Sequence, residues 1–170
     1  MTEVVREVTS QDLETTMRAI QACGLFSPEE IPTLRAQLEK TLSGQSERNE
    51  FWLADFGEEG EARGVTFCVE EVLTDRVWNL LFIGVAEGMQ NTGIGGRLLR
   101  HVEDRLRQDS QRMLVIETTN GPEFEGARAF YESHQYTEEG TVRDFYAEGA
   151  HKIAFRKVLS PKASDTPQGG

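Results

Sequence analysis

An apolar stretch ending at Val85 runs into a glycine cluster, Gly88, Gly93, Gly95 and Gly96, and then into an amphipathic helix. That succession constrains the fold more than any other part of the chain. Residues 77–85 read as a strand. Residues 97–108 set Leu98, Leu99, Val102 and Leu106 on one helical face, with Arg100, Asp104 and Arg107 turned away from it. A short apolar strand follows at 113–118, so the helix predicts a crossover between two parallel neighbours.

The remaining elements frame this crossover. Val4, Val5 and Val8 predict a first strand, and Thr9 with Asp12 makes a capping pair for a helix that carries Leu13, Met17 and Ile20 and ends at Gly24. Ser27, Pro28 and Glu30 open a second helix, in which Ile31, Leu34, Leu38 and Leu42 repeat at helical spacing until Ser43-Gly44. Residues 51–56 and 64–71 predict strands joined by Gly57-Glu58-Glu59-Gly60, and Thr74-Asp75 turns into 77–85, which gives three strands in meander order. Residues 127–133 predict a short helix, and 141–146 with 151–158 a hairpin over Ala147-Glu148-Gly149-Ala150. The order β-α-α-β-β-β-α-β-α-β-β predicts an α/β fold. Its sheet is mixed and mostly antiparallel, with helices on both faces and one parallel crossover after the glycine loop.

Length and composition narrow the function. A chain of 170 residues fits one domain, expected over residues 1–158, with a disordered tail over 159–170 that holds Pro161, Pro167 and a Gly-Gly end. Against 29 acidic residues stand 18 Lys and Arg, a net charge of −11 with no basic block, which argues against a nucleic-acid partner. No run approaches the roughly 18–20 apolar residues of a membrane span, and no signal-peptide pattern opens the chain, so we expect a cytoplasmic protein without a membrane partner. Cys23 and Cys68 lack any metal-ligand spacing, and no metal site is expected. A monomer or homodimer fits these features.

The glycine loop suits an anion. The first turn of a helix carries unpaired N–H donors and the positive end of the macrodipole, so a phosphate is its natural guest. Gly95-Gly96-Arg97 lacks the Gly-Lys-Ser/Thr of a Walker loop, and a dinucleotide fingerprint would begin at the end of the strand, without the spacer that precedes Gln90. The alternative is a tight strand-to-helix turn and nothing more.

Gln90-x-x-Gly93-x-Gly95 resembles the Arg/Gln-x-x-Gly-x-Gly/Ala motif of the GCN5-related N-acetyltransferase (GNAT) superfamily. Leu80 to Val85 stands where that family has its fourth strand, Val115 to Asn120 is similar to its fifth strand and following loop, and Arg128-Ala129-Phe130-Tyr131-Glu132 to its late helix. The resemblance covers about residues 4–158 and is most specific over 78–136. The terminal hairpin is similar to a bacterial subgroup of largely unassigned substrate. The helix exit departs from the pattern, since Gln135 stands where a glycine is usual, which implies either strain or a changed exit path.

The resemblance implies acetyl-CoA as cosubstrate. Backbone amides of Gln90, Asn91, Thr92, Gly93, Ile94, Gly95 and Gly96 would hold its pyrophosphate, and Ile83, Gly84 and Val85 would pair with its pantetheine arm. The Val85 N–H would polarise the thioester carbonyl. Asn120 would contact the cosubstrate, or else form only an Asn-Gly-Pro turn. Tyr131 would protonate the departing thiolate; the alternative is a tyrosine that only packs beside Phe130.

An amine of pKa near 10.4 needs about 4 kcal/mol to lose its proton at pH 7.4, so a base or water chain is expected. Residues 78–82 hold no carboxylate, although many relatives place a glutamate there. Glu117, amid Val115, Ile116 and Thr118, is then the candidate base; the alternative is an exposed carboxylate, or one paired with an arginine. Glu70 and Glu71 are weaker candidates. Trp78, Phe82, Tyr146 and Asp144 could line the acceptor side, while His101, His134 and His151 have no partner at a suggestive spacing. The expected function is acetyl transfer from acetyl-CoA to an amine of unknown identity by direct attack. The alternative is a non-catalytic acyl-CoA binding or regulatory module.

Overall fold

The structure is a computed structural model that describes residues 4–159. One seven-stranded sheet has the order β1-β2-β3-β4-β5-β7-β6. Its strands are β1 (Val4–Glu7), β2 (Glu50–Phe56), β3 (Ala62–Glu70), β4 (Val77–Val85), β5 (Met113–Thr119), β6 (Thr137–Ala147) and β7 (Ala150–Val158). The helices are α1 (Leu13–Ala22), α2 (Ile31–Leu42), α3 (Ile94–Gln108) and α4 (Glu125–Ser133). Every neighbouring strand pair is antiparallel except β4 and β5, which α3 connects. The expected architecture and the order of elements are both present.

Alternation along the strands builds two cores. Phe51, Leu53 and Cys68 face α3 and α4 and pack with Leu98, Leu99, Val102, Leu106 and Tyr131, whereas Trp52, Ala54, Val65 and Phe67 face α1 and α2 and pack with Met17, Ile20 and Leu38. The four apolar positions of α3 chosen from periodicity are all 0% exposed. On the second face Trp52 stacks on Phe67 with ring centroids 4.1 Å apart.

Boundaries differ from the sequence reading in instructive ways. Helix α3 begins at Ile94, so Gly95 and Gly96 lie inside its first turn, because Gly93 at φ +87° acts as the N-cap. That left-handed angle favours glycine. Strand β6 starts at Thr137, four residues before the apolar alternation does, since pairing with β7 rather than burial holds it: every residue of β6 is exposed. The Thr9–Asp12 pair forms as expected, the Thr9 N–H donating to Asp12 Oδ2 at 2.8 Å, but it caps a short 3-10 turn ahead of α1. Leu159, assigned to the tail, is buried, and its N–H donates to the Arg112 carbonyl at 2.8 Å. The remainder of that tail lies outside the described residues. No described helix is long and apolar enough to cross a membrane.

Candidate active site

The site grows out of a failure of strand pairing. β4 and β5 run side by side only from Val77–Met113 to Leu80–Ile116, after which no parallel pair forms. At that point β4 carries an extra residue: Phe67 pairs with Phe82 and Cys68 with Leu80, leaving Leu81 as a bulge. A bulge bends its strand and adds twist. β5 instead continues along β7 through Glu117, Thr118 and Thr119. The two strands therefore part, and one edge of Phe82 to Val85 has no strand beside it.

That edge presents hydrogen-bonding groups. The Ala86 N–H donates to the Arg63 carbonyl of β3 at 2.9 Å, so alternation turns the Val85 and Ile83 N–H groups toward the side that β5 has left. On the same strand Gly84 permits close packing with the end of α1, since a Cβ there would lie 2.8 Å from Cys23 Sγ.

The loop after β4 adds a second set of donors. Met89 N–H donates to the Ala86 carbonyl and Arg97 N–H to the Gly93 carbonyl, but among the described residues nothing accepts from the backbone N–H groups of Gln90 through Gly96. Glu87 N–H donates to the Ala22 carbonyl at 2.8 Å and ties the loop to α1. Beneath it, the wholly buried Asp55 of β2 binds Arg97 at 3.0 Å and also pairs with Arg63, which moors the start of α3 to the sheet.

Both sets of donors open into one cavity of about 540 Å³. Ile83, Gly84, Val85, Gln90, Asn91, Gly93, Gly95, Gly96 and Tyr131 line it. The volume lies within the roughly 300–1,000 Å³ of small-molecule sites. Of the other cofactor candidates, Ile94 is buried beneath α3 and Thr92 donates its hydroxyl to the Met89 carbonyl, and neither side chain is on the wall. Asn120 is not on the wall either. It holds the β6–β7 turn, donating to the Gly149 carbonyl and accepting from the His151 N–H at 2.8 Å.

Tyr131 is 7% exposed, packed between Phe130, Tyr136 and Phe155. Burial disfavours its phenolate and pushes its pKa up to about 12, so the ring keeps its proton at neutral pH. Glu117 is the first β5 residue past the last β4–β5 pair, at the fork of the split. It is outside the cavity wall, 31% exposed, and its carboxylate pairs with Lys152 at 2.7 Å. Burial and the Glu117 charge raise the pKa of Tyr146, which places that ring beside the same pair. Glu70 and Glu71 lie near Trp78, at the other end of β4 from Val85. There Glu71 accepts from the Asn79 amide at 2.9 Å.

Sequence reasoning passed over Cys23, Leu25, Arg100, Ala127, Phe130 and His134, all on the cavity wall. Helical spacing carried a signal for some of them: Arg100 follows Gly93 and Gly96 at i+7 and i+4, and Ala127, Phe130, Tyr131 and His134 share one face of α4.

Comparison with known proteins agrees with this geometry. Residues 47–138 match the acetyltransferase (GNAT) domain family. The 5-NmdU N-acetyltransferase of Pseudomonas phage PaMx11 is 32% identical over 99 residues, which span 58% of this chain and 66% of that relative's length. A GNAT-family protein from Desulfovibrio desulfuricans superposes with a TM-score of 0.87 at 24% identity, over 94% of this chain and all of that one. The PaiA N-acetyltransferase of Thermoplasma acidophilum, solved with coenzyme A, does so at 0.69 and 17% identity, over 91% and 98%. These two likenesses show a shared fold. The matched span takes in more than half of the chain and includes the split strand, the glycine loop, α3 and all of α4, and on that basis the chain belongs to the GNAT acetyltransferase family.

Proposed function

We propose that this protein transfers the acetyl group of acetyl-CoA to a primary amine by direct attack. One observation carries the reading: the unpaired edge of β4 and the unpartnered N–H groups of residues 90–96 open into the same cavity as the Tyr131 side chain. An acyl-CoA needs that combination. Amide donors receive its diphosphate, a strand edge pairs with its pantetheine amides, and a proton donor stands where its thiolate departs.

In this mechanism the amine nitrogen attacks the thioester carbonyl while the Val85 N–H binds the developing oxyanion. The C–N bond forms, the C–S bond breaks, and Tyr131 gives its proton to the sulfur. Burial that holds the proton on Tyr131 also raises the basicity of a thiolate beside it, so the transfer is not opposed by the high phenol pKa alone. Glu117, at the fork and paired with Lys152, takes the amine proton directly or through water. Phe145 and Tyr146, both about half exposed and in edge-to-face contact, flank this pair on the acceptor side. A cytoplasmic setting belongs to this reading, in keeping with the buried free thiols of Cys23 and Cys68.

The test is binding followed by turnover. Gly95→Glu should leave the fold intact, since a Cβ there meets Phe130 at 3.5 Å and Val85 at 3.8 Å, both ordinary contacts, but it sets bulk and negative charge among the amides. Coenzyme A binding by calorimetry should be lost in this variant and present in the wild type. Release of coenzyme A from acetyl-CoA should then appear with members of an amine panel. Binding without release for every amine class would favour the non-catalytic module, and undiminished binding by folded Gly95→Glu would overturn the site.

A further inference from the structure

Two side chains outside the glycine motif converge over the first turn of α3. A Cβ on Gly96 would lie 3.2 Å from His134 Nε2 and 3.3 Å from a terminal nitrogen of Arg100, and all three residues line the cavity. The missing side chain lets an imidazole and a guanidinium approach the helix backbone on the cavity wall, close to the unpartnered N–H groups of the helix start.

The proton on the imidazole can be placed. His134 Nδ1 is 2.8 Å from the Phe130 carbonyl oxygen and 3.2 Å from Ser133 Oγ. A carbonyl only accepts, and Ser133 Oγ donates its single proton to that same carbonyl at 2.7 Å, which leaves it an acceptor toward the ring. Nδ1 therefore carries the hydrogen, and Nε2 of the neutral ring offers a lone pair. An anion in the cavity beside these residues would face that lone pair unless the ring gained a second proton.

The charged groups around the ring come from two elements. From α3, Arg100 faces it and forms no ion pair with a described carboxylate. From β7, Lys157 donates to the His134 carbonyl at 3.0 Å and also pairs with Glu103 of α3, which in turn accepts from the Tyr136 hydroxyl. Glu103 is thus paired, and the charge left facing the ring is the Arg100 cation. A phosphoryl group beside the ring would bring the opposite charge, which favours the doubly protonated form.

We propose that Arg100 and His134 form a phosphate clip across the first turn of α3, and that His134 takes a proton from solvent onto Nε2 when a phosphoryl group of coenzyme A enters. This rests on the coenzyme A reading above. The clip would make cosubstrate affinity depend on pH, tighter on the acid side.

Calorimetric titration of coenzyme A from pH 6 to 8.5, in buffers of different ionisation heat, tests the clip. The wild type should bind with net proton uptake and lose about tenfold in affinity across the range. His134→Gln keeps a neutral donor near the Nε2 position and should show neither the pH dependence nor the uptake attributable to the ring. Coenzyme A has a phosphate that itself titrates near pH 6, so dephospho-coenzyme A runs in parallel. Dependence retained with it assigns the diphosphate to the clip; dependence seen only with coenzyme A, and lost in His134→Gln, assigns the 3′-phosphate. Arg100→Gln, at an exposed position, should weaken binding at every pH and move the midpoint of the dependence upward, because removing the cation eases protonation. Equal pH dependence in wild type and His134→Gln, or an unmoved midpoint in Arg100→Gln, overturns the clip. No coenzyme A binding by folded wild type at any pH would instead overturn the coenzyme A reading.

Discussion

Asp55 of β2, with its side chain 0% exposed, binds Arg97 of α3 at 3.0 Å, and Arg97 is the residue next to Gly96. A buried carboxylate thus moors the helix start whose N–H groups open into the cavity. Asp55→Asn removes the charge that Arg63 and Arg97 share. Because it leaves buried guanidinium charge uncompensated, it should lower stability by about 3–5 kcal/mol. Arg97, 30% exposed, should tolerate Arg97→Met at a smaller loss. Urea denaturation measures both, and a change below about 1 kcal/mol for Asp55→Asn would show that the mooring is not energetic.

Gly84 and Cys23 should behave as a coupled pair. A Cβ on Gly84 would overlap Cys23 Sγ at 2.8 Å, so Gly84→Ala should cost about 1–3 kcal/mol. In the Cys23→Ala background the sulfur is gone, and the same substitution should cost at least about 1 kcal/mol less. Additive energies in the double-mutant cycle would mean that the strand end moves to accommodate the methyl group.

Tyr131→Phe keeps the buried ring and removes the proton donor. The expected loss in kcat is about 10²–10⁴-fold, with coenzyme A affinity within about twofold of wild type. With the phenol pKa pushed up to about 12, the protonated, active form persists below that value. The wild-type rate from pH 6 to 10 should therefore show no fall attributable to this residue. Wild-type turnover by the variant under rate-limiting chemistry would reduce Tyr131 to packing.

Glu117→Gln should depress the rate most near neutral pH, with the deficit shrinking toward the pKa of the amine, where free base becomes abundant. The Lys152 pair supplies the competing explanation, a structural tether between β5 and β7. A tether would leave the two pH profiles parallel and lower the thermal midpoint, and Lys152→Met would then reproduce the same loss of stability.

Gln135 leaves α4 at φ +69°, in the left-handed region that a side chain disfavours. The absent glycine is thus met by strain in the backbone. Gln135→Gly should raise stability by about 0.5–1 kcal/mol, the relief being offset in part by the greater freedom of glycine in the unfolded chain. Thermal melts at constant pH check the sign.

The fold was legible wherever one physical signal decided a segment. The apolar spacing of α3 marked its buried face because a helix against a sheet must bury one stripe, and Leu98, Leu99, Val102 and Leu106 lie there. Gly93 and the residues around it marked the loop before α3 because glycines there let a strand turn into a helix whose first amides stay unpaired. β6 was harder to bound. Its first four residues have no apolar alternation, and only hydrogen bonds to β7 hold them extended.

The sequence by itself determined the order of elements, the two-faced sheet and the glycine loop, since propensity, periodicity and turn chemistry act between near neighbours in the chain. Tertiary structure alone decided the rest. The parting of β4 from β5 after Leu80–Ile116 depends on a bulge at Leu81 and on β7 claiming the far end of β5. The partner of Glu117 is a lysine, 35 positions away in the chain, brought diagonally across from it by a register that sets Lys152 opposite Thr119. His134 and Arg100 meet over Gly96 because the end of α4 lies beside the first turn of α3, and His134 has an assignable tautomer only because Ser133 and Phe130 surround its Nδ1. Contacts between residues distant in the chain have no period along it, and the chemistry of this site consists largely of such contacts.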